Sequence, residues 1–341
     1  MLDVFKADAF SVMNLTDALN NLKFVPGRVG ELGIFLESGV TTTTVAIEQK
    51  NNVLSLVTPS PRGGPGITLD KAKRNLRNLS VPHFEINDAV MAEEVQGIRA
   101  FGQEDAVETV MGKVAERQAT HVDSFAATTE HARIGAIKGV VSYGDGTSLN
   151  LFSEFGVSQI TERAWDLAAA APAAGVVRKT CAAVIRQIGT ELDGIPWSGQ
   201  VHALCGDDFF DDLLAHTEVR DTYKNWTAAE ELRRASIGTS GKSYGAFSFG
   251  GIMWENYRGA LGGNSLVHTD KCHIFPLGVP NLFRTYHAPA DYVETVNTMG
   301  RRLYGKQFEM PNGKGIHLDT QMNELNICTR PRVLLQGKRG S

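Results

Sequence analysis

Three short stretches of this sequence carry residue types that could do chemistry. Gly238-Thr239-Ser240-Gly241-Lys242-Ser243 ends as a phosphate-binding loop does, with a lysine for the phosphates and a hydroxyl for magnesium. The first glycine that such a loop needs falls at Ser236, and polar, helix-like sequence precedes it in place of a buried strand. It reads as a surface loop. His268-Thr269-Asp270-Lys271-Cys272-His273 gathers two imidazoles, a carboxylate and a thiol, a donor set that suits zinc. No second ligand pair stands at a recognisable spacing, so the cluster reads as structural. Asp207, Asp208, Asp211 and Asp212 could hold magnesium through carboxylate oxygens. Asp207 is expected to cap a helix there, which explains two of the four by dipole complementarity. The other two fit a solvated face.

The remaining patterns are emptier still. There is no nucleophile elbow and no HExxH, and Gly144-Asp145-Gly146 lacks the third glycine of a dinucleotide loop. That triplet reads as a hairpin turn. Asn14, Asn78 and Asn225 match the glycosylation triplet, which has no consequence without secretion. Cys181, Cys205, Cys272 and Cys328 lie far apart with no CxxC spacing, and are expected to stay reduced and mostly buried. No catalytic, cofactor-binding or metal-ligating residue is therefore assigned, and no cofactor is expected. A site assembled from dispersed residues would escape such a search.

The elements that would have to position a site are more legible. Val107, Met111, Val114, Val122, Phe125, Ala132 and Ala136 recur at helical spacing through Glu104 to Lys138. Acidic residues open this stretch, Arg133 and Lys138 lie near its end, and Gly139 terminates it. A helix of that length runs roughly 50 Å at 1.5 Å per residue. Gly112 and Gly135 are expected to bend or fray it. A second helix is expected over Val176 to Leu192, with Val177, Cys181, Val184, Ile185, Ile188 and Leu192 inward. A strand follows at Val201-His202-Ala203-Leu204-Cys205, and Ser248 to Tyr257 is strand-like. Short apolar runs broken by Pro and Gly suggest further strands over the last hundred residues. The class is α+β with a mixed chain order.

Before the long helix stands a different kind of sequence. Thr41 to Glu48 is β-branched, and Asn51-Asn52 can turn it back into Val53-Leu54-Ser55-Leu56-Val57. Pro59-Ser60-Pro61-Arg62-Gly63-Gly64-Pro65-Gly66 then supports neither helix nor central strand. Two strands followed by a mobile, exposed arm are expected. Such a loop has little reason to exist in an isolated compact domain.

The whole chain sets the outer bounds. Its 341 residues suffice for two compact domains, or one with large extensions. With 42% hydrophobic and 21% charged residues it is too apolar to be a disordered chain. A formal charge of -4 excludes a generally basic nucleic-acid binder, though not a locally basic face. No basic region leads into an apolar core at the N-terminus, and Leu167 to Val177 is about half a membrane span, so a soluble protein made in a cytoplasm is expected.

From Pro26 to Pro331 the chain resembles the lambda-like (E-type) major capsid proteins of tailed phages. Leu32-Gly33-Ile34-Phe35, Val40, Thr44-Val45-Ala46-Ile47-Glu48 and Arg62-Gly63 are similar to that family's beginning. Ala92-Glu93-Glu94-Val95-Gln96-Gly97-Ile98-Arg99 with Phe101-Gly102 resembles its approach to the long helix, and Glu130 with Arg133 to Gly139 the end of it. The strongest match is Ala288-Pro289-Ala290-Asp291-Tyr292-Val293-Glu294-Thr295-Val296-Asn297-Thr298. Gly315, Gln321, Asn323, Leu325 and Arg330-Pro331 follow in order, with Glu324 in the place of an expected proline.

The resemblance implies the Hong Kong 97-type capsid fold. Residues 1–40 would be an N-terminal arm and 41–90 an extended loop. Residues 91–160 and 276–341 would form a peripheral domain with a long spine helix, and 161–275 an axial domain. It implies a major capsid protein of the virion, assembled in the host cytoplasm into an icosahedral head shell around the phage DNA. Expected partners are copies of itself in hexamers and pentamers, a scaffold supplied as another chain, a portal and a decoration protein. The packaged double-stranded DNA would be contacted non-specifically, and no membrane is expected. A cellular encapsulin-type shell and a cytosolic enzyme with a dispersed site are the alternatives.

Overall fold

The computed structural model describes residues 27–50, 74–96, 110–169, 174–224, 245–261 and 264–340. In chain order the elements begin with β1 (Phe35–Gly39), β2 (Thr44–Lys50), β3 (Arg74–Ser80) and β4 (His83–Met91). Then come α1 (Val110–Lys138), β5 (Val140–Ser142), β6 (Ser148–Asn150) and β7 (Arg163–Ala164). α2 (Val176–Glu191), β8 (Val201–Cys205), α3 (Asp207–Ala215) and α4 (Thr217–Lys224) follow. β9 (Ala246–Phe249), β10 (Ile252–Asn256), β11 (Ala260–Leu261), β12 (Asn264–Ser265) and β13 (Lys271–Pro276) come next. The chain closes with β14 (Phe283–His287), β15 (Tyr304–Glu309), β16 (Gly315–Cys328) and β17 (Leu335–Lys338). Helices and sheets are mixed along the chain, as the α+β reading expects.

Contacts divide the chain into two units, each discontinuous in sequence. The first is Met1–Ile47, Asn78–Glu130 and Arg284–Asn326; the second is Glu48–Arg77, His131–Phe283 and Ile327–Ser341.

The first unit is built on a five-stranded sheet in the order β1-β14-β16-β15, with β4 also paired to β16. β4 runs antiparallel to β16 from His83 opposite Asn323 to Met91 opposite Gly315. Side chains alternate across a strand, so Phe84, Ile86 and Val90 fall on one face while His83, Glu85 and Asn87 fall on the other. The apolar face meets α1. Val122 and Phe125 pack with Leu303 and Met322, against Phe84 and Ile86. Val114 packs with Val90, Val95, Ile316 and Leu318. Met111, placed on this face by its spacing, is exposed instead. Val107 and Glu104 lie outside the described residues.

A single helical turn, Arg28–Glu31, is tied to α1 by one carboxylate. Glu130 accepts from the backbone N–H of Val29 at 2.8 Å and of Gly30 at 3.3 Å. The free amides of a first turn thus find an anion, which suits the positive end of the turn's dipole.

α1 runs unbroken for 29 residues, about 44 Å, and ends at Gly139 with φ 83. Gly135 is not a weak point in it. A Cβ there would stand 2.7 Å from the Val141 Cα, so glycine lets β5 approach the helix. The expected hairpin turn is present: β5 and β6 pair, Gly146 has φ 85, and Asp145 accepts from the Thr147 backbone N–H at 2.9 Å.

The second unit carries a six-stranded sheet in the order β7-β17-β13-β8-β10-β9. β8, wholly buried, lies parallel to β10 and antiparallel to β13. Trp254 sits at its core, 5.1 Å from Trp165 and 5.9 Å from Phe209 between ring centroids. α2 buries Val177, Cys181, Val184 and Ile188, while Ile185 is half-buried against the β9–β10 turn. The stretch expected as one strand from Ser248 is a hairpin turning at Gly250-Gly251, both with positive φ.

The helix after β8 begins differently from its expected form. Gly206, not Asp207, occupies the N-cap position of α3. A Cβ at Gly206 would fall 2.1 Å from the His268 carbonyl oxygen, backbone that no rotamer change can move. Gly206→Ala is therefore expected to lower stability by about 1–3 kcal/mol, read as a drop in thermal midpoint. An unchanged midpoint would show that the two backbones are free to part.

β2 pairs with β3 as a two-stranded sheet. The strand expected at Val53 to Val57, its Asn51-Asn52 turn and the Pro59 to Gly66 arm lie outside the described residues. So do residues 1–26 and 225–244, Gly238 to Ser243 among them.

Candidate assembly surface

Of the clusters nominated for chemistry, the carboxylate quartet and the 268–273 stretch do not come together as sites, and Gly238 to Ser243 lies outside the described residues. Asp207 accepts from Asn256 and from Arg258, each at 2.8 Å, and these bonds hold its carboxyl below the usual range. Arg339 takes Asp212 at 3.2 Å and Asp208 at 3.7 Å. Three of the four carboxylates thus face guanidinium groups, and Asp211 is exposed. Asp207 and Asp208 do stand in the first turn of α3, as the dipole reading expects, and Asp211 is solvated; what the sequence does not show is that Arg258 and Arg339 pair with the other three.

The two histidines of the 268–273 stretch are separated by the strand they enter. His268 is exposed and bonded to Asp270, whereas His273 is buried in β13. Burial, with Lys138 and Lys271 nearby, pushes the His273 imidazole down to about 3, so it is neutral at any ordinary pH. Among the described residues no three His, Cys, Asp or Glu side chains are placed to hold a metal ion.

All four cysteines are free and buried. Burial pushes the Cys181 and Cys328 thiols up to about 12, and raises Cys272, which also lies opposite Cys205 across the β13–β8 pair. The thiolate is the reacting form, so these thiols are expected to be inert. In the native protein at pH 8, fewer than one thiol per subunit should react with an aromatic disulfide reagent, and all four should react once it is unfolded. Rapid native labelling of several thiols would contradict this burial.

Sequence reading missed the buried polar networks of the first unit. His121, on α1, lies 2.9 Å from the Thr320 hydroxyl and 3.3 Å from Asp88, and Arg117 pairs with Asp88 and Glu94. Glu324 lies in the middle of β16, buried, where a proline and its turn were expected. Its carboxylate accepts from the Thr129 hydroxyl of α1 at 3.3 Å and from the Asn326 amide. Proline would give up a backbone donor inside a central strand. Glutamate keeps the strand continuous and bonds it to the helix. In the second unit His202 and Glu255, on neighbouring strands, meet at 2.9 Å with both side chains buried. Each network joins one element to another, which fixes the frame.

Among the described residues a hollow of about 80 Å³, lined by Phe155, Val157, Glu191, Arg330, Pro331 and Arg332, falls far short of the ~300 Å³ at which ligand pockets begin. What the first unit does present is an apolar projection. Val293 is 90% exposed, Val296 63% and Met299 62%, all on the loop between β14 and β15. Surfaces of that kind mark contact with another macromolecule rather than catalysis.

The phage major capsid protein E family matches this chain over residues 11–339. The chain belongs to that family. The major capsid protein of Pseudomonas phage KPP10 is 27% identical over 348 residues, covering 96% of this chain and 97% of that protein. That of Salmonella phage Felix O1 is 24% identical over 368 residues and covers 98% of each. Among solved structures, a chain assigned as a capsid protein of a prophage in E. coli CFT073 superposes with a TM-score of 0.59 at 12% identity, over 96% of this chain and 99% of that one. The capsid structure of cyanophage P-SCSP1u gives 0.51 at 13% identity, over 94% and 90%. At such identities the likeness speaks for the fold, the Hong Kong 97-type capsid fold. Family membership makes this a phage capsid protein, a constituent of the virion. No described helix is long and apolar enough to cross a membrane.

Proposed function

We propose that this capsid protein self-assembles, as hexamers and pentamers, into the icosahedral head shell enclosing the phage's double-stranded DNA, and that it catalyses nothing. The observation that carries this reading is the family match from residue 11 to 339, with relatives aligned over nearly the whole of both chains. The ion-paired Asp207, Asp208 and Asp212, the neutral buried His273 and the buried thiols support it, because these candidates for chemistry are already engaged in structure.

On this reading residues 1–40 are an N-terminal arm and 41–90 an extended loop whose last strand, β4, returns into the five-stranded sheet. The peripheral domain takes 91–160 and 276–341 with α1 as its spine, and the axial domain takes 161–275. The contact units divide the chain differently, grouping Glu48–Arg77, His131–Phe283 and Ile327–Ser341. A scaffold, a portal and a decoration protein are the further partners. DNA would touch the inner face non-specifically, since a chain of net charge -4 does not bind phosphate strongly enough to oppose packing and ejection.

Individually modest contacts suffice for such a shell, because each subunit is held by several neighbours at once. The test is assembly. The purified chain, alone and with its scaffold, should yield closed particles of hundreds of copies by sedimentation and negative-stain microscopy. Small discrete oligomers under every condition would overturn the proposal.

A further inference from the structure

The loop 293–299 exposes apolar side chains that packing within the described residues of its own subunit does not bury. Val293 and Val296 are three residues apart around a 3-10 turn, Val293–Thr295, and in that geometry residues i and i+3 lie one above the other. Both point outward, while Thr295 between them is 1% exposed. The loop is not a frayed segment. The Thr295 hydroxyl donates to the Ala290 carbonyl at 2.7 Å, and the Thr298 hydroxyl donates to the Thr295 carbonyl at 2.7 Å. The Arg301 N–H donates to the Tyr304 hydroxyl at 2.8 Å, and the Gly300 N–H to the Val40 carbonyl at 2.8 Å. Asn297 holds φ 59, one of four non-glycine residues with positive φ among those described. The Met299 side chain lies against Gly39, where a Cβ would come within 2.9 Å of its Cγ. Three apolar side chains are thus held out in water on a hydrogen-bonded backbone, where contact with another surface would bury them.

We propose that this loop is an anchor seated on a second copy of the same chain in the assembled shell. The inference rests on the shell-forming reading above and names one of its contacts. Charge is compatible with a copy, because a tip without net charge meets no like-charge repulsion on another subunit of the same net charge. Glu294, the one acid within the loop, is bonded to Lys306 at 2.9 Å, and that ammonium lies over the Tyr292 ring. Within the loop the charge is therefore internally balanced. Area argues likewise. Two valines and a methionine expose a few hundred Å², the size of the largest patch on an ordinary monomer. A stable isolated dimer buries about 1,200–2,000 Å². The loop is too small to hold two subunits alone, yet sufficient as one contact repeated at every subunit. Its rigidity reduces the ordering cost of binding.

The burial of the native thiols supplies a clean test, because a cysteine placed at 293 would be the one readily labelled thiol among them. Val293→Cys and, separately, Val296→Cys subunits should react rapidly with a maleimide when unassembled. In assembled shells free of DNA and scaffold the rate should fall at least tenfold. The double variant Val293→Asp with Val296→Asp should keep the wild-type circular dichroism of the subunit while shell yield falls at least tenfold. Equal labelling in subunits and shells, protection confined to DNA-filled heads, or normal shell yield from the double variant would each overturn the anchor. None of these touches the shell-forming reading, which fails only if the wild-type chain forms no shells.

Discussion

Replacing Phe125 by aspartate is expected to remove soluble subunit altogether. Phe125 is 3% exposed at the centre of the cluster joining α1 to the five-stranded sheet, with Val122, Leu303 and Met322 around it. A carboxylate there would lose its water without gaining a cation, and truncation of the ring would leave a cavity besides. The cavity alone costs about 3–5 kcal/mol, and desolvation adds several more. Domains rarely hold more than about 5–15 kcal/mol in total, so this single change consumes most of the margin. Expression of Phe125→Asp should give inclusion bodies and no shells. A normal soluble yield with normal shells would show that α1 does not rest on the sheet through this ring.

Trp254→Ala should be nearly as damaging, in the other unit. Trp254 is fully buried, lies edge-on to Trp165, stacks on Phe209, and donates from its indole N–H to the Phe249 carbonyl at 3.1 Å. Losing the ring opens the largest void a single truncation can make there, and leaves the Phe249 carbonyl without that donor. The two effects together amount to about 4–6 kcal/mol. A fall in thermal midpoint of more than ten degrees, or loss of soluble protein, is the expected result. A shift of a degree or two would mean that the six-stranded sheet is not organised around this residue.

Sequence reading reached the elements whose burial is one-sided or complete. α2, β8 and the end of α1 at Lys138 stand within a residue of their expected places, because their apolar positions repeat at 3.6 or fill a run, while the expected start of α1 at Glu104 lies outside the described residues; Gly139 and Gly146 mark turns by the φ they need. It failed where a buried position is polar. Asn323, Glu324 and Asn326 are all buried in β16, so the apolar pattern suggests only short strands in this region and does not show one strand of fourteen residues. Nor could it pair the strands: β10 lies parallel to β8 although some fifty residues separate them, and that partner is chosen by the whole core. The candidate surface was illegible for the opposite reason. Val293 and Val296 have the composition of core residues, and only the fold reveals that they stand in water.

The central claim is that this chain is the wall of a phage head, and cryo-electron microscopy of DNA-filled heads tests it most directly. The account predicts that the shell density, averaged over its symmetry, accepts this sequence with α1 running from Val110 to Lys138 and β16 from Gly315 to Cys328 in every wall subunit. A shell wall whose side-chain density traces a different chain, with this one absent or confined to a few copies, would contradict it.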